Sequence, residues 1–185
     1  MTRLVFLLEE SSMQEVLEII LPKILPAGVE FLCIPHEGKQ DLARSIPRKL
    51  RAWRSPEVRF VVIHDQDSVD CVVLKQQLLK LCEEGGRPET LVRIVCHELE
   101  SWFLGDLGAV ETAYQLSGLA KRQQGRKFRQ PDELNNAAQE LKRLVRRYQK
   151  LEGARRIAPH MNLGDANRSR SFHIFLAGLR RLCQN

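Results

Sequence analysis

No apolar run in the 185 residues approaches the ~20 that a membrane-spanning helix needs, so a spanning segment is excluded. Cysteine is sparse and scattered. Cys33, Cys71, Cys82, Cys96 and Cys183 form no CxxC pair, and His36, His64, His97, His160 and His173 make no zinc spacing with them. An odd number of widely separated thiols argues against a disulfide framework and fits small buried apolar groups in a reducing compartment. The N-terminus lacks a charged region followed by an apolar stretch, so no signal peptide is expected and the location is expected to be cytoplasmic. Aromatics make up only 6% and hydrophobic residues 43%, as in an ordinary soluble α/β protein. Internal repeats and low-complexity tails are missing too, which excludes a solenoid.

Charge is present, and it is unevenly placed. Residues 1–120 hold 13 Lys and Arg against 18 Asp and Glu; residues 121–185 hold 16 against 5. The net charge of +6 therefore conceals an acidic front and a strongly basic last third. The simplest functional reading is a phosphate backbone lying across the basic part, beside the acidic one. A solvated basic face, or one that meets an acidic protein, is the bland alternative. We expect two units, an α/β domain over 1–120 and a basic helical extension over 121–185 packed on it.

Short β-branched or aliphatic runs predict strands at 3–8, 29–35, 58–64 and 91–96. Between the first two, Ser11 or Ser12 can cap a helix with Met13, Val16, Leu17, Ile20 and Leu21 at helical spacing, broken by Pro22 and Pro26. Gly38 to Trp53 is a second helix with Pro47 as a possible kink, and a third runs from Ser68 to Gly85-Gly86. The βαβαβαβ alternation predicts a three-layer α/β fold around a four-stranded, mainly parallel sheet with right-handed crossovers. Beyond residue 97 the pattern is helical: one or two helices over 98–118 with breaks at Gly105 and Gly108, a basic loop at 121–130, a helix over 132–150, a loop at 152–168 and a last helix carrying Phe172, Phe175, Leu176, Leu179 and Leu182 inward.

Carboxylates stand where these strands should end. Val61-Val62-Ile63 leads to Asp65 and Asp67, and Leu4-Val5-Phe6-Leu7-Leu8 leads to Glu9 and Glu10. In an open parallel sheet, chemistry gathers outside the carboxyl ends of the strands, so these groups can share one edge. Each carboxylate pair at ~4 Å would cost roughly 4 kcal/mol at an effective dielectric of ~20. A hard divalent cation, Mg²⁺ or Mn²⁺, relieves that cost. Asp65 and Asp67, two apart on an extended segment, would point to the same side. The Asp-x-Asp pair also has a plain structural reading, with Asp67 or Ser68 capping the following helix.

The pattern of a strand ending in Glu, a βα unit, then a strand ending in Asp-x-Asp resembles the TOPRIM domain of topoisomerases, bacterial primases and OLD-family nucleases. The matching residues are Leu7-Leu8-Glu9 and His64-Asp65-Gln66-Asp67-Ser68. More closely, the chain is similar to a family of small bacterial TOPRIM-like proteins that open with a strand and Val-Glu-Gly. Those proteins also carry His-Glu-x-Glu after the fourth strand, present here as His97-Glu98-Leu99-Glu100. Glu10 stands where that family usually has glycine, which leaves the choice between Glu9 and Glu10 open.

The resemblance implies a Mg²⁺-dependent nuclease acting on DNA or RNA. Asp65 and Asp67 would hold the metal, and Glu9 would share it or act as general acid or base. Glu100 would be a further ligand, allowing a second ion, with Glu98 and Glu10 as additional acidic candidates. Related proteins work beside ABC- or SMC-like ATPases in anti-phage systems, so such a partner is implied as well. Tyr114 and Tyr148 lie on helical patterns, which argues against topoisomerase chemistry. His64 and His97 flank the motifs and read best as core or supporting groups; Trp53 and Trp102 read as core.

For phosphate contact the candidates are Lys127, Arg129, Arg143, Arg146, Arg147, Arg155, Arg156, Arg168 and Arg170, since arginine suits bidentate phosphate recognition. Two other classes compete with the nuclease. A non-catalytic TOPRIM-like module would bind nucleic acid or an ATPase without cutting. A haloacid-dehalogenase-like phosphatase would use Asp65 as a nucleophile, but there the motif normally follows the first strand, and Glu9 would have no role.

Overall fold

A computed structural model describes residues 3–184. Four parallel strands, β1 (Arg3–Leu8), β2 (Glu30–Pro35), β3 (Val58–Asp65) and β4 (Leu91–Val95), lie in the order β2-β1-β3-β4. Parallel neighbours require crossovers, supplied here by α1 (Ser11–Ile24), α2 (Lys39–Ala52) and α3 (Cys71–Glu84). The expected α/β architecture, a four-stranded parallel sheet flanked by helices on both faces, is the one found.

Alternation along the central strands divides the core in two. Val5, Leu7, Phe60 and Val62 face α2 and α3, packing on Leu42, Ile46, Leu74 and Leu78. Leu4, Phe6, Leu8, Val61 and Ile63 face the opposite way, toward α1 and the helices of the second half. These are α4 (Leu99–Leu104), α5 (Leu107–Tyr114), α6 (Ala137–Leu144), α7 (Lys150–Ile157) and α8 (Arg170–Gln184). Trp102, fully buried, lies 4.9 Å from the ring of Phe172 and 5.1 Å from that of Phe175. Its indole N–H donates to Ser171 Oγ at 3.1 Å, so the polar end of this large core side chain is satisfied. One apolar core thus draws on both the acidic and the basic part of the chain.

Several local expectations are corrected. Pro22 does not break α1, which continues to Ile24; the helix stops at Leu25 with Pro26 behind it. The third helix starts at Cys71, because Asp70 is the cap: its Oδ1 accepts from the N–H groups of Val72 and Val73 at 2.9 and 3.0 Å. Gly108 lies inside α5 rather than breaking it. The helix expected over 132–150 is instead a 3-10 turn at Pro131–Glu133 followed by α6, which ends where Val145 turns extended. The loop expected over 152–168 contains most of α7. Gly153 lies inside α7, and Tyr148 fills the space beside it: a Cβ there would meet the ring at 2.1 Å.

Candidate functional site

The carboxyl ends of β1, β3 and β4 fall on one edge because the strands are parallel and adjacent. Glu9 follows β1 directly, and its Oε2 accepts from the backbone N–H of Asp65 at the end of β3, 3.1 Å away. His64 Nδ1 stands 3.1 Å from the same oxygen and 2.5 Å from the Asp65 carbonyl. His64 is buried and supports Glu9 from below. Glu10 takes a different place. Its Oε2 pairs with Lys150 Nζ at 2.5 Å and accepts from Ser12 Oγ at 3.3 Å. The two adjacent glutamates are therefore distinguishable: Glu9 joins the aspartate edge, and Glu10 holds a lysine.

Asp65 sits at the centre. Its Oδ2 accepts from Leu99 N–H at 3.3 Å, tying β3 to the start of α4. Burial, then the charges of Glu9 and Glu100, push its carboxyl well above the ordinary range against the pull of Lys150. Burial raises Glu9 as well, opposed by His64 and by the Asp65 N–H, with Asp67 and Glu10 adding repulsion. Glu100 is 1% exposed. Tyr148 donates its hydroxyl to Glu100 Oε1 at 2.8 Å, while Oε2 is buried without a hydrogen-bond partner. Burial raises Glu100 too, against Lys150 and Tyr148.

Asp67 departs from expectation. It has φ of 53°, in the left-handed region, so the extended-segment argument for a shared side fails. The turn is stitched to β4 instead: Gln66 N–H donates to Val95 O at 2.9 Å and Asp67 N–H to His97 O at 3.0 Å, while His97 Nδ1 lies 2.9 Å from Asp67 O. The Asp67 carboxylate, partly exposed, faces Lys39 Nζ at 3.4 Å. Glu98 is occupied structurally, accepting the Ala138 N–H at 2.8 Å near the start of α6.

Lys150 is the residue that sequence reasoning missed at this site. It opens α7 and meets Glu10 directly, with Glu100 and Asp65 close enough to act on it. Burial works against its ammonium, and those three carboxylates outweigh it, so its pKa is raised. No spacing signal marks it in the sequence.

A narrow cleft of about 10 Å³, scarcely the volume of one water, opens between Glu9, Glu10, Ser12 and Asp65. The donor chemistry here fits a hard divalent cation: all-oxygen, under-compensated, with one orphaned carboxylate oxygen nearby. Among the described residues, however, no three His, Cys, Asp or Glu side chains are already grouped to hold an ion.

The basic candidates divide. Lys127 and Arg143 both pair with the buried Glu140 at 2.5 Å. Arg155 pairs with Glu15 and Arg156 with Glu152, each at 2.7 Å. Arg147 lies over the Tyr114 ring, 5.8 Å from its centroid. These five are tethered within the fold. Among the described residues, the side chains of Arg129, Arg146, Arg168 and Arg170 form no ion pair, and all four are exposed.

The sequence over residues 8–180 matches the model of a domain of unknown function, DUF4276. The chain belongs to the DUF4276 family. That match runs from the end of β1 into α8 and so includes the carboxyl ends of all four strands. Among curated proteins none matches. Among solved structures, this DUF4276 domain is similar to the C-terminal region of the Burkholderia pseudomallei OLD protein, with a TM-score of 0.56 and 19% identity over 98% of each chain. The likeness at that identity is one of fold.

Proposed function

We propose that this DUF4276 domain is a divalent-metal-dependent nuclease of the TOPRIM type. The observation that carries the reading is the Glu9–Asp65 junction, at the carboxyl edge of a parallel sheet: Glu9 accepts the Asp65 N–H, and both carboxyls are raised in pKa by burial and by neighbouring carboxylates. Such charge is costly to maintain unless a cation uses it. The fold shared with the OLD C-terminal region and the TOPRIM resemblance of the two motifs support the same reading.

Glu9, Asp65 and, once turned from Lys39, Asp67 would hold Mg²⁺ or Mn²⁺, with Glu100 available for a second ion. When bound, the metal would supply Lewis-acid activation of the phosphoryl group and a more acidic water. The chain's own residues do the remainder. Asp65 is oriented by the Leu99 N–H, Glu9 by His64 and the Asp65 N–H, and Glu100 by Tyr148. Lys150 brings a fixed positive charge against which an anionic phosphate can be held. Arg129, Arg146, Arg168 and Arg170, which form no ion pair among the described residues, are the side chains we assign to the nucleic-acid backbone. A place in bacterial anti-phage defence beside an ABC- or SMC-like ATPase belongs to the same proposal and rests on the resemblance.

One observation favours a second reading. Lys150 already supplies a cation to the cluster, as it would in a binding module that never loads metal. A phosphatase using Asp65 as nucleophile is less well supported, because it gives no task to Glu9. The test is cleavage of mixed DNA and RNA substrates across a Mg²⁺ and Mn²⁺ titration, with Asp65→Ala/Asp67→Ala alongside. Metal-dependent cleavage lost in the variant supports the nuclease; metal binding without cleavage, with biological activity surviving the variant, supports the module.

A further inference from the structure

Outside the carboxylate cleft, a cavity of about 740 Å³ runs along the outer edge of β4, between α3 and the start of α8. Its walls are mainly aliphatic, formed by Val72, Leu79, Ile94 and Ile174 among others, and Val72 and Ile174 stay exposed. Four cationic side chains border it, Lys75, Arg93, Arg168 and Arg170.

Arg93 is the unusual member. It is 9% exposed, in the middle of β4, and among the described residues no carboxylate pairs with it. Its Nε donates to Ile174 O at 3.2 Å and its Nη1 to Val92 O at 2.9 Å, while Nη2 has no hydrogen-bond acceptor among the described residues. The fold makes deliberate room for this guanidinium. A Cβ on Gly178, inside α8, would meet Nη2 at 2.3 Å, so a helix-weakening glycine is kept where the arginine lies. A buried cation without a counter-ion is costly. Burial and nearby Arg181 lower its pKa accordingly. Two carboxylates also border the cavity: Asp132, whose Oδ2 accepts from Ser171 N–H at 2.6 Å while its Oδ1 is buried without a partner, and Glu133, which is exposed. The balance is four positive groups to two negative.

We propose that this cavity binds one nucleotide unit, its phosphate on Arg93, Arg168 and Arg170 and its base against the aliphatic wall of Leu79 and Ile174. The volume is in the range of small-molecule sites, and arginine planes suit both phosphate and base faces. The choice of a nucleotide over other amphipathic anions rests on the nuclease reading. Gln66 and Cys96, which line the cavity, directly follow Asp65 and precede His97, so the cavity and the carboxylate edge share a wall. A nucleotide adjoining the cleaved bond, or a released mononucleotide, would lie there.

The test is calorimetric titration of the full chain, in EDTA, with AMP, GMP, CMP and UMP, and with inorganic phosphate and adenosine as controls. EDTA keeps the metal-dependent site out of the measurement. At least one nucleoside monophosphate should bind tenfold or more tightly than phosphate or adenosine. Arg168→Ala/Arg170→Ala and Ile174→Glu, all at exposed positions, should each weaken it at least tenfold. Arg93→Met should do the same, and Gly178→Ala should do so in part; if either fails to fold, the surface variants carry the test. Absence of binding at millimolar concentration, phosphate binding as tightly as the nucleotides, or unchanged affinity in the surface variants overturns the assignment. Nucleotide binding with no cleavage under any metal would overturn the nuclease alone, and cleavage with no nucleotide binding would overturn the cavity alone.

Discussion

Glu9 Oε2 accepts the backbone N–H of Asp65 at 3.1 Å across the β1–β3 junction, although the two lie 56 positions apart in the chain. The bond fixes Glu9 beside an aspartate that it repels. Both carboxyls are pushed up, first by burial and then by their neighbours. The folded state therefore holds their protons more tightly than the unfolded chain does. For a raised carboxyl, the contribution to stability is present below the unfolded pKa and is lost as pH rises through the folded one.

Metal-free protein should accordingly gain stability at these groups as pH falls from neutral to about 5. Asp65→Asn should be more stable than the parent by about 1 kcal/mol at neutral pH, as is common when a strained functional site is neutralised. It should also show a flatter pH profile. Thermal melts in EDTA from mildly acidic to neutral pH check both points. A variant that melts lower at pH 7 would contradict the assignment.

Gly153 and Tyr148 form a second coupled pair. An alanine methyl at 153 would overlap the ring at 2.1 Å, and the ring carries the hydroxyl that holds Glu100. Gly153→Ala should cost about 1–3 kcal/mol, as overpacking does, although alanine is the better helix former. Tyr148→Phe should cost about 1 kcal/mol through the lost hydrogen bond. Denaturant unfolding measures both, and a stabilised Gly153→Ala would show that the ring is not held there.

Lys150 compensates Glu10 directly and Glu100 and Asp65 through space. Lys150→Met should lower the metal-free stability by up to about 1 kcal/mol, since the pair is partly exposed. It should also enlarge the rise in Tm on adding Mg²⁺, because a bound cation then meets more uncompensated charge. Differential scanning fluorimetry with and without Mg²⁺ reads both effects. An equal Mg²⁺ shift in variant and parent would separate the lysine from the metal site.

What the sequence revealed, and what it did not, follows from the range of the interactions. The strands were legible because Val61-Val62-Ile63 and its counterparts are compact apolar runs whose burial is settled locally. Parallel order then brought Glu9 and Asp65 to one edge by topology alone. The second half was less legible. Gly153 falls in the expected loop over 152–168 yet lies inside α7 with Tyr148 in its side-chain space, and Tyr148 leaves the predicted long helix to reach Glu100, 48 residues away. Asp67 reads as extended, yet hydrogen bonds to the end of β4 turn it left-handed. Lys150 and Arg93 carry no local signal at all. Each is defined by what the fold places around it.

The central claim is that the Glu9–Asp65 edge holds a divalent cation. The most direct measurement is a Mn²⁺ titration of the full chain, followed by electron paramagnetic resonance of the free ion, on the parent, Asp65→Asn and Glu9→Gln. Our account predicts saturable binding by the parent that strengthens with rising pH as the carboxyls lose their protons, and at least tenfold weaker binding by either variant. Parent protein that leaves Mn²⁺ free, or variants that bind it as tightly as the parent, would contradict it.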